Sequence, residues 1–258
     1  MQKVLSTMAL CLALLATNAA GAVKTTIQQL TSIFENSTPV FQYTYAANIG
    51  DGRGWTFGFV GFTSGTYSGT MFLEEYRRAR PSNALVRFIP AFKRIDAAPH
   101  DSAGRNPDTA GLEEFPAAFQ SCGSDPRFRS AQRKLNDRLS WNPARRLAMR
   151  IGARLPITRG QLYDAYVNHG ESGILDLIRR TNFRAGGMPG DVPEKKWLAT
   201  FLTVRLAILK RDPTWARAVD RIAVYRKLLQ KGNVRLRLPI NVNCYGNSFT
   251  LVGASPGP

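Results

Sequence analysis

The sequence has few of the residues on which common metal and nucleophile sites depend. Its 258 residues include only three cysteines and two histidines. No His-Glu-x-x-His or Cys-x-x-Cys spacing occurs, and no Walker or dinucleotide-binding fingerprint is present. A Gly-x-Ser-x-Gly nucleophile elbow is also missing. We therefore expect a protein that needs no metal and no cofactor.

Long apolar runs are missing too, except at the start of the chain. Lys3 precedes an apolar run from Val4 to Ala16, and Ala20-Gly21-Ala22 follows it with small residues. This order is typical of a secretory signal, and the run is too short for a transmembrane anchor. We predict a signal peptide over 1–22 and an exported catalytic domain of two lobes over 23–258.

Acidic residues are scarce, since 18 Asp and Glu stand against 35 Lys and Arg, a formal charge of +17 that becomes +16 without Lys3. Nucleic acid, anionic envelope polymers and membrane surfaces are the partners that such a charge suggests, and export disfavours nucleic acid. The densest basic region has few aromatic residues for base stacking, so we interpret it as a solvated helix face. Its members are Arg145, Arg146, Arg150, Arg154 and Arg159.

Two cysteines follow the predicted signal, Cys122 in the middle of the chain and Cys244 near its end. An oxidising compartment would allow them to form a disulfide. Two separate buried thiols fit the sequence equally well, because one pair of cysteines carries no diagnostic spacing. Both interpretations stay open at this point.

Hydrophobic periodicity indicates a mainly helical chain with a smaller extended part. Val40 to Phe62 is β-branched, aromatic and rich in glycine, and Val234 to Val252 alternates like a pair of strands. Elsewhere in 23–231 the apolar residues recur at helical spacing. The predicted helices cover 23–34, 69–80, 84–95, 111–119, 126–151, 158–168, 194–211 and 213–231.

One stretch, Phe34 to Gly65, combines two carboxylates with unusual surroundings. Glu35 ends the first predicted helix, and Asp51 lies in the turn Ile49-Gly50-Asp51-Gly52-Arg53-Gly54. Flanking glycines allow such a turn to present its carboxylate to a ligand, although turn chemistry alone selects the same residues. Two carboxylates held in this way form a candidate acid and base pair for breaking a glycosidic bond.

The same stretch resembles the glycoside hydrolase family 46 chitosanases. The resemblance is carried by Glu-Asn-Ser at 35–37, Gln-Tyr-x-Tyr at 42–45, Ile-Gly-Asp-Gly-Arg-Gly-Trp-Thr at 49–56 and Gly-Phe-x-Ser-Gly-Thr at 61–66. Weaker similarity extends over most of 23–258. It implies a mainly α (α+β), two-lobed, lysozyme-like fold, with a small β-sheet lobe and a cleft between the lobes. It also implies an inverting endo-hydrolase of chitosan.

The resemblance assigns roles to individual residues. Glu35 matches the family's general acid, Asp51 its general base, and Thr56 the threonine that helps to hold the attacking water. Arg53 matches the turn arginine and His169 a cleft residue. Tyr45, like Tyr43 and Trp55, is a candidate sugar platform, although aromatic residues in small sheets are more often part of the core. Behind the acid, the family has an ion-pair network of one aspartate and two arginines. Its matches here are Asp164, Arg205 and Arg226.

The resemblance leaves some questions open. Ser68 stands where family members often have an aspartate, so one contact with a substrate amine is missing. Chitosan is a polycation, so a basic enzyme needs a locally acidic cleft, to which Glu74, Glu75, Glu113 and Glu114 are candidates to contribute. Two alternatives remain: a lysozyme-like hydrolase of an anionic wall polymer, and a non-catalytic basic binding protein. We expect a monomer, with electrostatic attachment to anionic envelope material.

Overall fold

The computed structural model describes residues 20–211 and 218–253. The chain divides into two compact units. Unit 1 contains residues up to 40 together with those from 142 onward, and unit 2 contains Phe41–Trp141. The predicted signal peptide over 1–22 lies almost entirely outside the described residues, as does the beginning of the helix predicted over 213–231.

Unit 2 combines a small antiparallel sheet with four helices. Strands β1 (Ala46–Asn48), β2 (Trp55–Phe57) and β3 (Phe62–Thr63) pair in that order, and Thr56 lies opposite Ala47 on one side and Thr63 on the other. A five-residue π-helix, Asp137–Trp141, ends the unit. The four helices are α2 (Ser68–Ala79), α3 (Ile89–Ala97), α4 (Phe115–Ser121) and α5 (Pro126–Asn136).

The core of unit 2 is built from phenylalanine rings. Phe57 is fully buried and meets Phe92, Phe115 and Phe119 edge to face. Burial of each ring stabilises the unit by roughly 1.5–3 kcal/mol, and edge-to-face geometry adds to this. Because side chains alternate along a strand, fixing Phe57 in the core turns its neighbour Thr56 to the other face of the sheet.

Unit 1 is a helical body with a C-terminal hairpin. Its helices are α1 (residues 20–36), α6 (Asn142–Arg150), α7 (Pro156–Ala185), α8 (Glu194–Leu209) and α9 (Val219–Gln230). Strands β4 (Ile240–Cys244) and β5 (Asn247–Leu251) pair around a two-residue turn at Tyr245 and Gly246, both with positive φ. Trp197 and Phe201 stack in the core beside α7 residues such as Leu162 and Leu177.

Helix α7 is interrupted at Gly170, where φ is 67° and ψ is −176°. Only glycine adopts this combination at low cost, so a side chain at 170 would be strained. The break follows directly after His169, which therefore stands at the end of the first half of the helix. The predicted end at Asn168 agrees with this break, but the helix resumes and continues to Ala185.

The mainly α prediction is confirmed, and two helix boundaries were wrong for one reason. The predicted helices 84–95 and 111–119 each contain a proline that the structure places in the first turn of a helix that begins later, Pro90 in α3 and Pro116 in α4. Proline has no N–H to donate and its ring clashes with the preceding turn, so it favours the start of a helix. The predicted helix 126–151 agrees with a continuous helical run over 126–150, in which the π segment Asp137–Trp141 lies just before Pro143.

Two open questions about side chains are answered. Cys122 and Cys244 are both free and buried, so the interpretation as two separate thiols is correct. The five arginines of the basic region are all exposed, in agreement with a solvated helix face. Within 20–211 and 218–253, no helix has the length and apolar character needed to cross a bilayer.

Candidate active site

The last turn of α1 carries Glu35, and unit 1 holds this turn firmly. The buried side chains Ile27, Leu30 and Ile33 fix one face of the helix. The Phe34 carbonyl accepts a hydrogen bond from the Tyr245 hydroxyl at 2.9 Å. The Glu35 side chain remains 37% exposed. Its carboxyl group is therefore accessible to solvent, although packing fixes the helix turn that carries it.

A buried arginine contacts the Glu35 carboxylate directly. Arg221 Nη1 donates to Glu35 Oε1 at 3.0 Å and to Asp164 Oδ1 at 3.2 Å, while Nη2 donates to the Phe34 carbonyl at 3.4 Å. Burial alone would lower the pKa of Arg221, but the charges of Asp164 and Glu35 raise it above its ordinary value. Arg221 is therefore a permanent cation shared by two carboxylates.

Asp164 connects this arginine with a second one. Arg205 Nη1 donates to Asp164 Oδ2 at 2.5 Å, and both side chains are fully buried. Arg205 also donates to Gln161, Asn168 and His169, so four hydrogen bonds to α7 side chains are arranged around one planar guanidinium. A buried charge with partners on all sides is oriented far more strictly than an exposed one.

The prediction for the second arginine of this network was wrong. Arg226 lies on a partly exposed face of α9 and donates to Thr203 Oγ1 at 3.2 Å. Arg221, on the buried face of the same helix, makes the contacts that were expected of Arg226. Asp164 and Arg205, in contrast, meet each other as predicted.

The second carboxylate, Asp51, lies in the loop between β1 and β2. Gly50, Gly52 and Gly54 in this loop all have positive φ, which lets the chain turn sharply on both sides of Asp51. Arg53 donates its backbone N–H to Asp51 Oδ1 at 3.1 Å, and its Nε to Oδ2 at 2.7 Å. The turn therefore fixes both carboxylate oxygens.

The charge of this loop favours an ionised aspartate. Partial burial pushes the pKa of Asp51 upward, but the hydrogen bonds and the positive charge of Arg53 outweigh this and hold the pKa below its ordinary value. Both side chains remain partly exposed. Asp51 is therefore ionised at neutral pH and in contact with solvent.

Thr56 and Tyr45 lie close to this loop in the sequence, and their side chains differ in exposure. Thr56 is buried on β2, and its hydroxyl oxygen has no hydrogen-bond partner among the described residues. Tyr45 directly precedes β1 and is 41% exposed, whereas Tyr43 is buried against Phe41 and Phe59. Of these two tyrosines, only Tyr45 has the exposure that a sugar platform requires.

The four acidic residues considered for a locally negative surface mostly have basic partners. Glu74 pairs with Arg77 and Lys93, and Glu75 pairs with Arg78. Glu114 pairs with Arg87, and Glu113 accepts a hydrogen bond from the Gly111 N–H. Three of the four charges are therefore compensated locally, and the expectation that they form an acidic surface is weakened.

Two residues around Glu35, Arg221 and Tyr245, were not predicted from the sequence, and only Arg221 left a detectable signal. Arg221 lies in register with Tyr225 and Leu228, so it falls on the apolar stripe of α9, where a charged residue indicates a buried partner. Tyr245 is a non-glycine residue with φ of 56° in a hairpin turn, and no sequence pattern predicted its position beside Glu35. Among the described residues, no group of three His, Cys, Asp or Glu side chains could hold a metal ion.

Comparison with known proteins agrees with this picture. The model of the family "Glycosyl hydrolase family 46" matches residues 29–240. A chitosanase from Bacillus subtilis (strain 168) is 38% identical over 233 residues, which are 85% of this chain and 82% of that protein. Glu35, Asp51, Asp164, Arg205 and Arg221 all lie inside the range that the family model matches.

Solved structures show the same fold. Native chitosanase from Bacillus subtilis MY002 is 35% identical, with a TM-score of 0.79 over 89% of this chain and 98% of that chain. A chitosanase from Gynuella sunshinyii in complex with chitotetraose is 34% identical, with a TM-score of 0.78 over 89% and 97%. A chain of this fold that carries Glu35 and Asp51 in these settings falls in the class of glycoside hydrolases. It belongs to glycosyl hydrolase family 46, which confirms that it is an enzyme.

Proposed function

We propose that the enzyme cuts β-1,4 links between glucosamine units inside chitosan chains, with inversion of configuration. The observation that carries this proposal is the similarity to chitosanases over nearly the whole described chain, including one solved with chitotetraose. An enzyme of this kind needs two carboxyl groups, one that protonates the leaving oxygen and one that activates water.

In this proposal Glu35 is the general acid. Its carboxyl group is partly exposed, so it can reach a bound sugar, and Arg221 fixes one of its oxygens. When Glu35 carries its proton, Arg221 still has Asp164 as an anionic partner at 3.2 Å. Because Asp164 is itself shared with Arg205, the cluster retains a paired arrangement in both protonation states of Glu35.

Asp51 is the proposed general base. Arg53 keeps it ionised and fixes its direction, as a proton acceptor requires. The buried Thr56 hydroxyl, which has no partner among the described residues, is suited to holding the attacking water. Tyr45 offers an exposed ring for stacking against a sugar, and Arg53 is the second proposed substrate contact.

We also propose that the enzyme is secreted as a monomer after removal of 1–22. The net positive charge and the exposed arginines of the basic region support attachment to anionic envelope material. The same positive charge also fits an alternative function, hydrolysis of an anionic wall polymer. Activity on that polymer is therefore measured beside activity on chitosan.

The decisive test is Glu35→Gln. The amide keeps the shape of the side chain but has no proton to transfer, so turnover of chitosan should fall by at least about a hundredfold while the fold persists. Asp51→Asn should lose nearly as much. Reducing ends released from chitosan, chitin and peptidoglycan are measured in parallel, with Arg226→Ala as a matched surface control. Retention of more than about a tenth of the activity in Glu35→Gln contradicts the assignment.

The stereochemistry provides a second, independent test. If Asp51 activates water and does not attack the sugar itself, the first product is the α-anomer and no covalent intermediate forms. Proton NMR of the products in the first minutes distinguishes the two anomers. An initial β-anomer would show that the enzyme retains configuration.

A further inference from the structure

His169 occupies an unusual position for a residue expected to contact substrate. It is the last residue before the break of α7 at Gly170, and its ring is partly buried. Arg205 Nε donates a hydrogen bond to His169 Nε2 at 3.1 Å. Since arginine only donates, Nε2 must be an acceptor, and the ring is neutral with its proton on Nδ1.

This contact completes the set of acceptors around Arg205. Nη1 reaches Gln161 at 2.8 Å and Asp164 at 2.5 Å, Nη2 reaches Asn168 at 3.0 Å, and Nε reaches His169. The three nitrogens of one rigid plane are therefore all held by side chains from α7. His169 accepts from Nε, the guanidinium nitrogen nearest the Arg205 backbone, and so helps to fix the rotation of the guanidinium plane.

We propose that His169 is a positioning residue for the general acid: as a neutral acceptor it orients Arg205, and through Asp164 and Arg221 it sets the position of Glu35. This inference rests on the proposed role of Glu35, and it replaces the expectation that His169 mainly binds substrate. The chain of contacts has three further steps: Arg205 to Asp164 at 2.5 Å, Asp164 to Arg221 at 3.2 Å, and Arg221 to Glu35 at 3.0 Å.

The charged groups that face His169 come from three helices. They are Asp164 on α7, Arg205 on α8 and Arg221 on α9. Burial and the two arginines lower the pKa of His169 to about 4, and Asp164 only partly opposes them. A protonated ring would place a cation against the Arg205 guanidinium and remove its acceptor. The position of the acid thus depends on His169 staying neutral.

The protonation state can be measured directly in the intact protein. The sequence has only two histidines, so long-range proton–nitrogen NMR spectra resolve His169 from His100 after one substitution, His100→Gln. We expect a neutral ring with the proton on Nδ1 from pH 8 down to pH 5. A proton on Nε2, or a ring that is charged at pH 6, overturns the proposal whatever the activity on chitosan.

Two amide variants provide a matched kinetic test. The Gln side-chain amide reaches about as far as His Nε2, whereas that of Asn reaches only about as far as Nδ1. We expect His169→Asn to lower kcat by about tenfold or more, because a small displacement of a reacting group has a large cost, while KM changes by less than about twofold. His169→Gln should recover most of that kcat and lose the acidic limb caused by ring protonation.

The outcomes separate the two proposals. If the wild-type enzyme does not cut chitosan, or if Glu35→Gln stays active, the proposed function fails while the NMR result still stands. If Glu35→Gln is inactive but His169→Asn raises KM and leaves kcat unchanged, His169 is a binding residue and the positioning role is wrong. Melting curves of both amide variants, followed by circular dichroism, confirm that the compared proteins are folded.

Discussion

Replacement of Arg221 by alanine should destabilise the protein far more than replacement of Arg226 by alanine. Arg221→Ala removes a side chain that is 4% exposed and pairs with the buried carboxylate of Asp164. Breaking a buried pair by removing one partner costs about 3–5 kcal/mol, and we expect the lower end, about 3 kcal/mol, because Arg205 still pairs with Asp164. Arg226→Ala removes one partly exposed hydrogen bond to Thr203, for which less than about 1 kcal/mol is expected.

The comparison is well controlled because both substitutions are Arg→Ala in the same helix, so changes in helix propensity cancel. Urea unfolding at pH 7 measures the free energy of unfolding, and the melting temperature of Arg221→Ala should fall by roughly 6–12 °C. Chitosan turnover should fall in Arg221→Ala alone. Equal stability losses in the two variants, or a larger loss in Arg226→Ala, would refute the reasoning about the buried network.

Three other predictions concern charge and thiols. Arg53→Ala should raise the pKa of Asp51, since Arg53 lowers it. The proposed base then ionises only at a higher pH, so the acidic limb of a plot of kcat against pH should move to higher pH. Cys122 and Cys244 should react with Ellman's reagent only after unfolding, and a reducing agent should leave the melting temperature unchanged; a shift would indicate a disulfide. Raising salt from 0.01 to 0.1 M shortens the Debye length from about 30 to about 10 Å, so the KM for cationic chitosan should fall, whereas a steady rise beside activity on peptidoglycan would favour the anionic polymer.

Local patterns predicted the parts of the fold that depend on local chemistry. The apolar spacing of Ile27, Leu30 and Ile33 predicted α1 and placed Glu35 at its end. The glycines around Asp51 predicted a tight turn, and the structure shows positive φ at each of them. In both cases the determining forces act within one or two turns of the chain, so a short window of sequence contains them.

Contacts between distant segments were harder to predict. Arg221 and Arg226 lie on one helix, and landmarks at the end of that helix selected the wrong one. The choice depends on which face of α9 is buried, and this is fixed by packing against α7 and α8. The apolar residues Tyr225 and Leu228 on the side of Arg221 carried the missing information. The contact of Tyr245 with the Phe34 carbonyl spans most of the chain, and nothing local indicates it.

The separation between Glu35 and its arginine has a consequence for the time at which the enzyme can become active. The two residues that meet at 3.0 Å are 186 positions apart in the sequence. At ordinary rates of protein synthesis, about 10–40 s pass between the appearance of Glu35 and that of Arg221. A growing chain, or one truncated before α9, contains the proposed proton donor Glu35 without Arg221, which contacts it. Because of this order of synthesis, the two residues can meet only when nearly the whole chain has been made.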